Sequence, residues 1–203
     1  MSLAHALLGL LNYQPTTGYE LKATFTKSIH FFWNATLPQI YRTLNQMEKK
    51  GWLTMTVEPQ AGKPSRNVYH ITKAGRGELR RWLAGPLGIP ELRNAMLIKV
   101  FFGNQMEPSR FTAHLRECRQ YHAHLLERYE KEIPSVIKQY ANVTHAFKDA
   151  PYWAITLDYG KRIDRMVLEW CDEVLRQIGE KGKKGSHRNK SASPSKKLGK
   201  KLR

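Results

Sequence analysis

Between Thr36 and Gly51 the chain reads Thr-Leu-Pro-Gln-Ile-Tyr-Arg-Thr-Leu-Asn-Gln-Met-Glu-Lys-Lys-Gly, and its polar residues are of the types that recognise bases and phosphates. Leu37, Ile40, Leu44 and Met47 recur at the three-four spacing of an apolar helical stripe. Gln39, Arg42, Thr43, Gln46, Lys49 and Lys50 fall on the other side, where Glu48 near the edge is the one carboxylate. Amide and guanidinium groups bond base edges in a major groove, and ammonium groups reach phosphates. Taken alone, the segment reads equally well as an amphipathic helix with a solvated basic face. Its neighbours have to decide.

Other chemistry-bearing residues lead elsewhere. His114, Cys118 and His122 recur every four residues on an expected helix. The outer two then stand about 12 Å apart along the axis, too far for one ion, so they belong to an apolar seam and no metal is expected. There is no glycine-rich phosphate loop, no zinc-type cysteine pairing and no Ser/His/Asp set in a recognisable context. Neither an enzyme nor a cofactor is therefore expected. The aromatics Trp33, Trp153 and Tyr159, with Trp82 and Trp170, have two readings: lining for an effector pocket between domains, or core packing.

The elements that must position the Thr36–Gly51 helix follow from local patterns. Thr36 with Gln39 fits a capping box, Pro38 sits in the first turn, and Gly51 supplies a left-handed stop. Upstream, residues 2–12 give an apolar helix through Leu3, Leu7, Leu10 and Leu11, which Pro15 ends. Thr17 and Glu20 form a second capping box, opening a helix whose inward side is Leu21, Phe25 and Ile29. Downstream the period changes to two: Leu53, Met55 and Val57 alternate with polar residues, as in a half-buried strand. Residues 59–65 read as a turn-rich loop, Val68 to Thr72 as the return strand, and Thr72 as the start of a helix carrying Leu79, Trp82 and Leu83. Three helices, a hairpin with a basic tip, then a helix is the order of a winged helix-turn-helix.

The remainder is helical. Gly85 to Pro90 marks a domain boundary, followed by a helix from Glu91 to Phe102. A long helix opens at Pro108 or Ser109, and Phe111, Leu115, Cys118, His122, Leu125, Tyr129 and Ile133 step along it close to a heptad seam until Pro134. A last helix from about Pro151 carries Thr156, Gly160, Ile163, Val167, Trp170 and Val174 at the same spacing. Two such stripes without a covering domain point to dimerisation through Leu115, His122, Leu125, Ile163, Val167 and Trp170. The other reading is a self-contained antiparallel helix pair.

Charge separates the chain into three parts. The net charge of +17 over 203 residues is uneven: residues 1–85 hold eleven Lys/Arg against four acids, and residues 86–179 thirteen against twelve. From Glu180 onward there are ten against one. A basic N-terminal module with a nearly neutral middle favours a polyanion partner for that module. Residues 182–203 lack aromatic and β-branched residues and are expected to be a disordered basic tail that tethers DNA electrostatically. The expected organisation is 1–85 for DNA binding, 86–179 for dimerisation and 180–203 as tail. Two cysteines fit a reducing compartment, with no signal-peptide pattern and no membrane-length apolar run. A cytoplasmic protein is expected.

In order along residues 4–83 stand Ala6-Leu7-Leu8-Gly9-Leu10-Leu11, Gly18-Tyr19-Glu20-Leu21, Gln39-Ile40-Tyr41 with Leu44, Glu48 and Gly51, and Gly62 to Thr72 with Gly75. With these motifs the chain resembles the PadR-type transcriptional regulators, and its helical remainder is similar in layout to the longer C-terminal region of virulence-gene activators. The resemblance implies a mainly α fold with a small β-hairpin: an N-terminal winged helix-turn-helix and a C-terminal helical dimerisation domain. It implies a homodimer on double-stranded operator DNA, most often a repressor, and in some members release by a small-molecule effector. The expected DNA contacts are Thr36, Gln39, Tyr41, Arg42, Gln46 and Lys49, with Lys63 and Arg66 at the wing tip. Tyr41 either places its hydroxyl on a phosphate or packs as a ring. The chain departs from the pattern at Pro38, where Gly or Ser is frequent, and at Lys63 and Asn67, where Arg and Lys are. The alternative function, a sequence-blind architectural DNA binder, is motivated by the tail but has no use for Gln39 and Gln46.

Overall fold

A computed structural model describes residues 2–29, 32–88 and 93–190. The chain forms two compact units, one drawn from residues up to 92 and from 129–160, the other from 93–128 and from 161 onward.

The first unit is built on three helices and a small sheet. Helix α1 (Ser2–Tyr13) buries Leu7, Leu8 and Leu11. After Pro15 comes β1 (Thr16–Thr17), then α2 (Gly18–Ser28), whose Leu21 and Phe25 are buried. Helix α3 (Leu37–Lys49) contributes Ile40, Leu44 and Met47. Each of these fully buried side chains contributes about 1.5–3 kcal/mol of apolar burial. Strands β2 (Leu53–Gln60) and β3 (Lys63–Ile71) form an antiparallel hairpin, and β1 pairs with the outer side of β3 through Thr16–Tyr69 and Thr17–Val68. Helix α4 (Lys73–Leu83) closes the unit over α1.

Close backbone approaches fix how these pieces seat. A Cβ at Gly75 would stand 2.1 Å from the carbonyl oxygen of Trp52, so α4 lies directly on that peptide. The Thr72 N–H donates to the same oxygen (3.0 Å), and its hydroxyl donates to Gly51 O (2.7 Å). On the α1 side, the buried His5 ring stacks on Trp82 at 4.5 Å and bonds Glu78 at 3.0 Å. Helices α7 (Ile133–Thr144) and α8 (Ala150–Lys190) bring Tyr140 and Trp153 edge-on to Tyr13, at 6.0 and 5.4 Å. Burial, then the neighbouring Asp149, pushes the Tyr13 phenol up to about 12.

The second unit holds α5 (Ala95–Phe101), a 3₁₀ turn at Gly103–Gln105, and most of α6 (Pro108–Lys131), packed with the later part of α8. Helices α6 and α8 pair antiparallel. Arg119 donates to both oxygens of Asp172 at 2.5 and 3.2 Å, and one turn on, His122 Nδ1 lies 2.6 Å from Asp164 Oδ1. Asp172 is held below the usual carboxylate range by that Arg119 hydrogen bond and charge.

The fold matches the expected class, with five corrections. The segment 59–65 is not a loop: the strands extend to a two-residue turn at Ala61-Gly62, where Gly62 has φ +70°. Pro59, which cannot donate to a ladder, sits at the register shift between Glu58 and Gln60. Strand β1 is a third strand too short to leave a periodic signal. Val57, expected to face inward, is exposed because β2 runs past the body of the unit. The helix expected from Glu91 starts at Ala95, since the Asn94 side chain takes the first free N–H groups, those of Met96 and Leu97; residues 91 and 92 lie outside the described residues. Helix α8 continues to Lys190, so the first part of the expected disordered tail is helical. An established helix extends without a new nucleus, and Lys and Arg favour it. Residues 191–203 lie outside the described residues. Among the described residues no helix is long and apolar enough to cross a membrane.

Candidate nucleic-acid interface

Helix α3 is held at both ends by local bonds. At its start the Gln39 N–H donates to Thr36 Oγ1 (3.4 Å) while the Thr36 N–H donates to Gln39 Oε1 (2.8 Å). At its end Gly51 takes φ +68°. There the Gly51 N–H reaches Glu48 O (2.8 Å) and the Trp52 N–H reaches Met47 O (3.0 Å), a Schellman arrangement. Lys22 of α2 donates to Ala35 O at 2.7 Å, pinning the entry to α3 against the helix before it. With Ile40, Leu44 and Met47 buried, the roll of α3 is fixed and one face must point outward.

That face carries Arg42, Asn45, Gln46 and Lys49, all exposed, together with Gln39. One expected reader, and the lysine that follows Lys49, are partly committed inside the protein. The Gln39 carbonyl oxygen is taken up by the Thr36 N–H and hydroxyl, so it is not free for a two-bond contact to adenine while the cap is closed. Lys50 stands over the Trp52 ring at 4.6 Å, a cation–π contact that draws it toward the body of the unit. Tyr41 packs as a ring, the second of its two expected readings. Its ring lies against Gly18, where a Cβ would come within 2.5 Å of it, yet the residue is 38% exposed. Glycine at the start of α2 is what admits that ring.

The wing differs from its sequence reading. Lys63 follows the Ala61-Gly62 turn and pairs with Gln60, at the tip as expected. Arg66 is not at the tip. It lies further down β3, directly across from Glu58, with Nε and Nη2 at 2.9 and 2.7 Å from Glu58 Oε2. Nη1 is 4.0 Å from Glu20. Glu20 in turn accepts from the Thr17 N–H and from the Thr16 and Thr17 hydroxyls, which, the N–H first, hold its carboxyl below the usual range. Arg66 thus bridges the wing to the cap of α2. A loop over 59–65 hides the pairing of Glu58 with Arg66, which only the extended hairpin sets opposite each other.

The expected dimer residues are distributed over α6 and α8 of the second unit. Leu115 is buried within the chain, His122 is bonded to Asp164, and Leu125, Val167 and Trp170 are half-buried; Ile163 is exposed. The α6–α8 pairing uses the α8 side that bears Asp164 and Cys171. Roughly 140° round the helix, at 3.6 residues per turn, Tyr152, Ile155, Tyr159, Ile163 and Met166 form an exposed apolar stripe. Trp33 is 40% exposed, Trp153 is edge-on to Tyr13, and Tyr159 belongs to that stripe. Neither of two clefts on the molecule is lined by these three aromatics.

Comparison with known proteins agrees with this layout. Residues 7–81 match the family model described as transcriptional regulator PadR-like family, and residues 92–179 match virulence activator alpha C-term. Over 87 residues the chain is 49% identical to the probable transcriptional regulator Rv1176c of Mycobacterium tuberculosis, covering 43% of this chain and 46% of that one. Over 101 residues it is 32% identical to the negative transcriptional regulator PadR of Bacillus subtilis, covering 49% and 56%. The chain spans about half the length of the curated relatives it matches. The solved structure of that Bacillus PadR in complex with operator DNA aligns at TM-score 0.70 and 23% identity, over 88% of this chain and 99% of the other. At that identity the likeness speaks for the fold. The Vibrio cholerae virulence activator AphA aligns at TM-score 0.67 and 29% identity, over 88% and 98%. The family and these relatives are regulators of transcription and not enzymes.

Proposed function

We propose that the chain is a PadR-like sequence-specific DNA-binding repressor, on the support of the match of residues 7–81 to the PadR-like model and of residues 92–179 to the virulence-activator C-terminal model. It acts in the cytoplasm as a homodimer on double-stranded operator DNA and is released by a small-molecule effector. The observation that carries the proposal is the outward face of α3: a guanidinium, amides and an ammonium group on a helix whose ends and roll are fixed. Repression and release draw support from relatives. The Bacillus protein is named a negative regulator and has been solved in complex with operator DNA and with p-coumaric acid.

Within this function the roles divide by chemistry. Arg42 and Gln46 read base edges, and Lys49 meets phosphate near the end of the helix. Gln39 and Thr36 serve first as the cap that places the helix over the groove. At the wing, Lys63 is the cation offered to the backbone, and Arg66 positions the hairpin through Glu58. The dimer contact falls on the open stripe of α8, with Ile163 the residue common to it and to the expected seam.

Arg42→Ala is expected to cost about 1–3 kcal/mol of operator binding and to relax preference at one base position. Lys49→Ala is expected to weaken operator and random duplexes alike, and to reduce the slope of log affinity against log salt by about one. Titrations of both duplexes at several salt concentrations measure this. Wild-type base preferences in Arg42→Ala would remove the base-reading role.

A further inference from the structure

We propose that Met96, Cys118 and Cys171 form a three-sulfur site for a soft monovalent metal ion, of the class of copper(I). The three side chains come from α5, α6 and α8 of the second unit. Cys118 Sγ donates to Met96 Sδ at 3.1 Å, and the Arg119–Asp172 pair, one residue further along each helix, sets Cys171 of α8 across from Cys118 of α6. Cys171 is fully buried, while Cys118 is half-buried and borders a cleft also lined by Met96, Lys99, Met106 and His114. An ion therefore has a way in, with a further thioether and an imidazole along its wall.

The donor set selects the ion. Thiolate and thioether sulfur favour copper(I), whereas zinc takes four ligands drawn from Cys, His and carboxylates. Among the described residues no group of three or more His, Cys, Asp and Glu could hold an ion, so the borderline and hard metals lack a site here. With metal–sulfur bonds of about 2.3 Å, three ligating sulfurs stand about 4 Å apart. The Met96–Cys118 contact must open by about 1 Å, which the cleft side of Cys118 allows. The Arg119–Asp172 pair joins the residues that follow Cys118 and Cys171, and so holds the two thiols in register.

Binding as two thiolates and a thioether releases the S–H protons of Cys118 and Cys171 to solvent, leaving the site with one net negative charge. Lys99 on the cleft wall is the cation nearest at hand to offset it.

Methionine and cysteine also fill cores without binding anything, and a titration separates the two. The reduced full-length protein is titrated anaerobically with copper(I) against a chromophoric copper(I) chelator. One ion per chain is expected, with sulfur-to-copper charge-transfer absorption in the near ultraviolet. Cys118→Ser is expected to lower affinity at least about a hundredfold, and Met96→Leu, which keeps side-chain volume and fold, about tenfold. Failure of the wild type to draw copper from the chelator overturns the site. So does unchanged affinity in Met96→Leu, which places any bound copper elsewhere, and this arm holds even if Cys118→Ser misfolds.

Discussion

Replacing His122 with alanine is expected to destabilise the chain by about 3–5 kcal/mol, because it strands a buried carboxylate. Asp164 is 4% exposed, its Oδ1 is bonded to His122, and its Oδ2 is already buried without a hydrogen-bond partner among the described residues. The loss should fall toward the lower end of the range, since the His122 side chain is 21% exposed and water can enter where the ring was. Urea unfolding of the single and double variants measures it. Asp164→Leu added to His122→Ala is expected to recover most of the loss, as apolar replacements of buried pairs often do. Loss of less than about 0.5 kcal/mol in the single variant would mean that the pair is not structural. A changed dimer dissociation constant with unaltered unimolecular stability would return His122 to the seam.

A second large effect concerns assembly. Ile155→Glu with Ile163→Glu is expected to give a folded monomer, because both residues are exposed on α8 and their replacement leaves the protomer interior untouched. Operator affinity should then fall by about 10²–10⁴, the gain that linked binding modules provide when both sites are engaged. Sedimentation and operator titration of the same samples test the two halves together. A dimeric double variant sinks the α8 stripe as the interface. A monomer that binds operator like the wild type sinks the need for a dimer. Cutting the chain after residue 86 is a poorer experiment than its sequence suggests, since Tyr13 of α1 packs on Tyr140 and Trp153.

Much of this molecule was legible because local chemistry decides it. The capping boxes at Thr17–Glu20 and Thr36–Gln39 and the stop at Gly51 are satisfied within a few residues, and all three stand where their residue types place them. The stripe of α3 likewise needed no partner to be named. What failed to show in the sequence depends on pairing across distance. Arg66 reads as a free wing cation until Glu58 is set opposite it. Gln39 reads as a base reader until the bond that caps the helix is seen to use its oxygen. The seam on α8 blended two faces about 140° apart: one covered by α6, where Asp164 and Cys171 lie, and one left open at Ile155 and Tyr159. Periodicity identifies that a helix has apolar faces, but not which neighbour takes each.

The central claim is that two copies of the α3 face, held by a symmetric dimer, read a defined DNA sequence. Its most direct measurement is selection of duplexes from a random-sequence library by the full-length protein at near-physiological salt. The expected product is an inverted repeat whose half-sites lie about one helical turn apart, about 10–10.5 base pairs centre to centre, or a multiple of it. In Arg42→Ala the repeat should persist with one position in each half-site relaxed. Recovery of DNA without any enriched sequence, or of a single unrepeated half-site, would contradict it.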